Sequence, residues 1–396
     1  MYFRKLTIVL VTLLFIGCKT TTNDLSEVQE IIDRVQLEYA PDKRIALFAI
    51  EASKQHNNYT LKGESNLPEA VAKLRKDLLD ATIKIIDSIQ VLPAVSLGDR
   101  TNGLVTISVA NLRSNPKHSA ELATQATLGT PLKIWKKEGD WYYIQTPDNY
   151  LAWVDAGGIT PVEDDRLKQW KQNDKIIYTK TYGHAFLDLE SKERVSDLVA
   201  GSVLEIVNYG DNAFQVKFPD GRQAFVLKED AEVYDTWLEN LKTKKEDLVS
   251  TSKTFMGVPY LWGGTSTKGM DCSGFTKTVY FLNGMIIPRD ASQQVHTGKP
   301  IDSTRNFDAL EKGDLLFFGR KATDSTAEKV VHVGMWIGNN EYIHASEMVR
   351  ISSMDKNASN FDEYNYNRYL RSNRMLNEED EALINLQKSF TFNNAN

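Results

Sequence analysis

Pro259-Tyr260-Leu261-Trp262-Gly263-Gly264 followed by Asp271-Cys272-Ser273-Gly274-Phe275 is the stretch on which the reading of this chain turns. From Ser273 to Leu282 the sequence is helix-like, and Asn283-Gly284 stops it, so Cys272 is expected at a helix N-terminus. The partial positive charge there favours a thiolate, and a nearby imidazolium adds to it. Sixty positions on comes His332 in Val331-His332-Val333-Gly334, and then His344 in Tyr342-Ile343-His344-Ala345, in a chain with only six histidines. The simplest chemistry is a cysteine nucleophile, a histidine base and a polar orienting group.

Val330 to Glu347 reads as a hairpin with its turn at Gly338-Asn339-Asn340. A three-residue loop pairs Ile337 with Glu341 and puts His332 and His344 on one face. A loop of Asn339-Asn340 alone sends them to opposite faces. The three-residue loop is expected. Either histidine alone reads as a satisfied structural residue, and Cys272 alone as an inert buried thiol. Together, at a helix start and on one hairpin face, they read as a site.

Bulk numbers bound the rest. At 396 residues the chain predicts two to four domains. It is 41% hydrophobic and 25% charged, enough for several cores and against general disorder. The net charge of −6 is spread, with no basic run for nucleic acid. There is no His-Glu-x-x-His and no cysteine cluster, so neither metal nor cofactor is expected.

Residues 1–17 read as a leader: Arg4-Lys5, an apolar run from Leu6 to Gly17, then Cys18 and a polar stretch. The apolar run is shorter than the roughly 18 residues that a spanning helix needs. The segment resembles a bacterial lipoprotein signal, although Phe15 stands where that pattern usually carries leucine. The resemblance implies lipidation of Cys18, a membrane anchor and an exported location in the cell envelope. An ordinary signal peptide with Cys18 incidental is the alternative. With Cys18 lipidated, Cys272 has no disulfide partner within the chain.

Residues 18–24 form a tether, and 25–94 a small α/β unit that serves as a cap or spacer. In that unit one helix carries Val28, Ile31, Ile32, Val35 and Leu37, and another Ala70, Val71, Leu74, Leu78 and Leu79. Arg44 to Ile50 and Asn58 to Leu61 read as strands. From about 95 to 237 the chain repeats: Gly129-Thr-Pro-Leu-Lys-Ile aligns with Gly201-Ser-Val-Leu-Glu-Ile, and Trp153-Val154 with Phe225-Val226, at an offset of 72. Two small barrels, 95–163 and 164–237, are expected. Residues 238–375 form a separate α/β domain. In the tail, 376–396, the end is frayed or Leu383, Ile384 and Leu386 dock a short helix.

The first repeat resembles bacterial SH3-like domains through Asn111-Leu-Arg, Gly139-Asp140-Trp141, Pro147-Asp148 and Trp153-Val154; the second is a looser match. The stretches around Tyr260 and Cys272, with Pro288-Arg-Asp-Ala-Ser-Gln-Gln, Lys312-Gly-Asp-Leu-Leu-Phe-Phe, His332-Val-Gly and Tyr342-Ile-His-Ala, resemble the NlpC-type cell-wall cysteine peptidases. The resemblance implies a multidomain protein: a papain-like α+β peptidase domain preceded by two SH3-like barrels and the N-terminal unit. It implies Cys272 as nucleophile, His332 as base, His344 as the orienting third member, and Tyr260 beside the oxyanion. The layout is similar to peptidases that cut after γ-D-glutamate in stem peptides with a free N-terminal L-alanine. That likeness implies Glu121, Tyr150 and Asp271 around the substrate's ammonium, with Ala123 at the other position the glutamate could take. It implies further substrate contacts at Trp262, Ser273, Asp290 and Ala291. A monomer acting on peptidoglycan peptides or muropeptides is expected. The rival readings are a peptidoglycan-binding lipoprotein with an inactive domain, which intact Cys272, His332 and His344 argue against, and an acyltransferase.

Overall fold

The computed structural model describes residues 25–55, 58–241 and 244–393. The expected leader, the tether and the lipidated Cys18 lie outside the described residues.

Helices Leu25–Tyr39 and Pro68–Asp80 pack on a three-stranded sheet of Phe48–Gln55, Asn58–Ser65 and Ile85–Val91, the last two parallel. Val28, Ile31, Ile32 and Val35 recur at the helical period and are buried. Leu37 and Leu79, expected on the buried stripes, fall off that period and are 74% and 73% exposed. The strand expected from Arg44 starts only at Phe48. Before it, Ile45 and Ala46 N–H both bond to the Asp42 carbonyl, so Asp42 to Ala46 is a turn.

Two seven-stranded antiparallel sheets follow. The first runs, in space, Ile159–Val162, Asn102–Val105, Pro131–Glu138, Trp141–Gln145, Leu151–Asp155, Val109–Arg113, Leu122–Thr127. The second runs Ala231–Val233, Lys175–Tyr178, Val203–Tyr209, Ala213–Lys217, Gln223–Leu227, Tyr182–Asp188, Glu193–Val199. The chain visits both in the same order, and the strands opening at Val203, Ala213, Gln223 and Ala231 each start 72 residues after their counterparts. Each sheet closes on its own core, Leu112, Ile134, Ile144 and Val154 in the first and Leu198, Leu204, Val216 and Val226 in the second.

The last region is a six-stranded antiparallel sheet, in the order Lys299–Asp302, Tyr369–Arg374, Leu315–Arg320, Lys329–Gly338, Glu341–Ser346, Met348–Ser353. Helix Cys272–Phe281 lies on it, with Phe275 and Val279 against Phe317, Val333 and Met335. The described residues of the tail, 376–393, are packed and do not form the expected helix. Ile384–Asn385 pairs as a strand with Met285–Ile286, and Leu386 and Phe392 are buried.

The hairpin corrects the expected loop. Asn339 and Asn340 both take positive φ, 56° and 59°, and Gly338 pairs with Glu341, so the loop is the two-residue one. A bulge at Ile337 then shifts the ladder by one, and Trp336 faces Tyr342 and Met335 faces Ile343. The pairing beyond the bulge is the one the longer loop would have produced, and both histidines share a face.

Candidate active site

Cys272 opens its helix, and Asp271 caps it: the Asp271 Oδ1 accepts from Gly274 N–H at 2.7 Å. The cysteine is only 8% exposed. Burial pushes its thiol up to about 12, and the Asp271 charge pushes the same way; N–H groups of Val333 and Ser273 offset part of this. Burial and then His344 hold His332 well below the ordinary imidazole value. Both shifts run against the expected thiolate. Tyr260 is half-buried; burial and then the neighbouring Cys272 and Asp271 raise its hydroxyl, which stays a donor.

The two histidines meet. His332 Nε2 and His344 Nδ1 are 2.7 Å apart, and His344 Nε2 is 3.0 Å from Ser352 Oγ. On the strand of His344, the Tyr342 hydroxyl accepts from Asn365 Nδ2 at 3.0 Å and donates to Asp362 Oδ2 at 2.7 Å. His344 occupies Nε2 of His332, so Nδ1 is the ring nitrogen of His332 left open. Sequence reasoning misses Ser352 and Asp362. The alternation His344, Tyr342 on one strand marks neither, because their partners come from other elements.

The carboxylate of Asp271 is not the free ammonium receptor expected of it. It is 7% exposed, and its Oδ1 accepts from Gly274, Ser273 and Arg289 while its Oδ2 accepts from Gly263 N–H and Arg289. Arg289 is 1% exposed and forks onto Asp271 at 3.1 and 2.6 Å, so the charge is already balanced. Ser273 is locked in the same knot and buried. The Arg289 Nε reaches Thr124 Oγ1 of the first seven-stranded sheet at 2.8 Å.

That sheet packs beside the Cys272 region through several side chains. Trp262, 63% exposed, donates its indole N–H to Glu121 Oε1 at 2.7 Å. Tyr150 hydroxyl donates to Asp290 Oδ2 at 3.3 Å, and buried Ala291 starts the next short helix. Gln125 Oε1 accepts from Thr265 N–H and Ser266 Oγ, each at 3.0 Å. Gly263 has φ +80°, and a Cβ there would lie 2.1 Å from the Leu122 carbonyl oxygen, so the two domains touch backbone to backbone. Behind the cleft, Lys277 and Asp148 form a buried ion pair between the domains at 2.5 Å. Glu121 is the one carboxylate among these without a cation beside it. Arg289 and the cross-domain contacts carry no local sequence signature beyond the Pro-Arg-Asp triplet.

The model of the NlpC/P60 family matches residues 257–368, and that of the bacterial SH3 domain residues 108–160. The chain is 32% identical over 238 residues to a γ-D-glutamyl-L-lysine dipeptidyl-peptidase of Bacillus cereus, covering 58% of this chain and 69% of that protein. It is 29% identical over 272 residues to dipeptidyl-peptidase 6 of Lysinibacillus sphaericus, covering 64% and 92%. The crystal structure of an NlpC/P60 family protein from Bacillus cereus superposes with a TM-score of 0.59 at 26% identity, over 69% of this chain and 99% of that one. A cysteine at a helix start, a histidine pair on the facing sheet and these likenesses agree: the chain belongs to the NlpC/P60 family.

Proposed function

We propose that the protein is a cysteine peptidase that hydrolyses the amide between γ-D-glutamate and the following L-diamino acid in peptidoglycan stem peptides. The observation that carries this is the His332 Nε2–His344 Nδ1 contact at 2.7 Å, which leaves His332 Nδ1 open on the strand whose Val333 shares a core with Cys272. Cys272 attacks the γ-carbonyl as His332 takes its proton. Backbone N–H at the helix start and the Tyr260 hydroxyl hold the oxyanion. His332 returns the proton to the departing amine, leaving a thioester, and then activates the water that cleaves it. The test is release of L-Ala-γ-D-Glu from L-Ala-γ-D-Glu-L-Lys followed by mass spectrometry. Release by Cys272→Ser at the wild-type rate would falsify the mechanism.

The same reading extends to the substrate's free L-alanine amine. Glu121, uncompensated at the cleft end, and the Tyr150–Asp290 pair are the groups that suit an ammonium. Acetylating that amine should abolish turnover. Two assignments complete the proposal. The second seven-stranded sheet, whose strand order repeats the first, is a second SH3-like barrel. Cys18 carries a lipid that anchors a monomer in the cell envelope, where it turns over or recycles wall fragments; mass spectrometry of the mature N-terminus decides whether the lipid is there.

A further inference from the structure

We propose that Arg44, from the N-terminal α/β unit, is a specificity-determining residue that closes the amine end of the cleft. This rests on the proposed role of Glu121 and the Tyr150–Asp290 pair in holding the substrate's ammonium.

Arg44 sits in the turn before the strand Phe48–Gln55. Its Nε and Nη2 fork onto Asp42 at 2.8 and 2.7 Å. Its Nη1 crosses to the peptidase domain and donates to Asp290 Oδ2 at 2.7 Å and Ser292 Oγ at 2.8 Å. The same Asp290 oxygen accepts from Tyr150, and Asp42 Oδ2 accepts from Gln293 Nε2 at 2.9 Å. The backbone is fastened too: Leu151 N–H donates to the Arg44 carbonyl at 2.7 Å, and Gln145 Nε2 to that of Ile45 at 2.9 Å. One turn thus ties the N-terminal unit, the first seven-stranded sheet and the helix Ala291–Gln294 together at Tyr150 and Asp290.

Two consequences follow from this geometry. A peptide whose N-terminus is extended beyond alanine meets the turn instead of open solvent. Asp42 and Asp290 share a single guanidinium, so the group keeps a net negative charge, which suits an ammonium and not an acyl cap. The planar guanidinium forks onto Asp42 and so aims its remaining Nη1 at Asp290, and lysine can replace only its charge. A residue that merely fastened domains would change stability and scale all substrates alike.

The test compares kcat and KM for L-Ala-γ-D-Glu-L-Lys and its N-acetyl form in the full chain, Arg44→Ala and Arg44→Lys, with thermal unfolding recorded for each. Arg44→Ala should raise KM for the free-amine peptide about tenfold, with kcat within about twofold, and cut the preference for the free amine at least about tenfold. Arg44→Lys should recover part of that preference, and it decides the question if the alanine variant does not fold. An unchanged preference in either folded variant, with wild type selective, overturns the role of Arg44 alone. A wild type that cuts neither peptide, or both equally, overturns the reading of the amine end and this inference with it.

Discussion

His332 and His344 touch at 2.7 Å although they are not cross-strand partners; His332 faces Phe318 on one side, and the ladder sets Gly334 opposite His344. The contact is diagonal. It needs Gly334, since a Cβ there would come within 3.1 Å of the His344 Cβ and 2.6 Å of the Tyr342 ring. Behind the pair, His344 Nε2 meets Ser352 Oγ at 3.0 Å, and the neighbouring Tyr342 hydroxyl donates to Asp362.

Burial lowers His344 and the charge of Asp362 raises it, which makes Asp362 the group to test. Asp362→Asn keeps the cap on Asn365 N–H but removes that charge. Kcat should fall about tenfold or more with KM nearly unchanged. A change confined to KM would show that Asp362 does not act on the base.

The activity profile should extend into acid. Burial depresses His332, so the neutral base persists below its ordinary value of 6.5, and the acid limb of kcat/KM should lie below pH 6.5. The thiol, held up to about 12, should alkylate with iodoacetamide slowly at pH 7 and faster as pH rises. Fast alkylation at pH 6 would mean a resting thiolate.

Stability should fall with acid for a related reason. Burial lowers His344 from 6.5 to about 4. Between those values the unfolded chain binds a proton that the folded chain refuses. The contribution of His344 is therefore complete above pH 6.5 and is lost as pH falls towards 4. Melting temperature recorded across that window should drop, and His344→Gln should flatten the drop.

Arg289→Met strands the buried Asp271 carboxylate. A loss of about 3–5 kcal/mol in unfolding free energy is expected, read by denaturant titration. Gly263→Ala acts differently: it forces the Leu122 backbone away, so Trp262 fluorescence and peptide KM should change more than the melting temperature does. A Gly263→Ala protein with wild-type KM would show that the seam between the domains does not shape the cleft.

Much of the site is legible in the amino-acid sequence. Cys272 at a helix start, the 72-residue repeat and the helical stripes all follow from periodicity and spacing, which are local. Where that reading fails, the deciding partner is remote or the period is overridden by residue type. Leu37 and Leu79 read as buried because they are leucines, but the period puts them in water. The histidines share a face through a bulge at Ile337, which no pattern in Gly338-Asn339-Asn340 announces.

By itself the sequence determined the family and the helix that Cys272 opens, because both are set by residue types at short intervals within each motif. Only the tertiary structure decided the protonation and the shape of the site. Burial among Phe275, Val333 and Met335 keeps the thiol neutral, since desolvation depends on what packs around a group and not on its neighbours in the chain. Arg289 claims Asp271 from 18 positions away once the last domain folds, and Arg44 claims Asp290 from 246, a pairing visible only when the domains are docked.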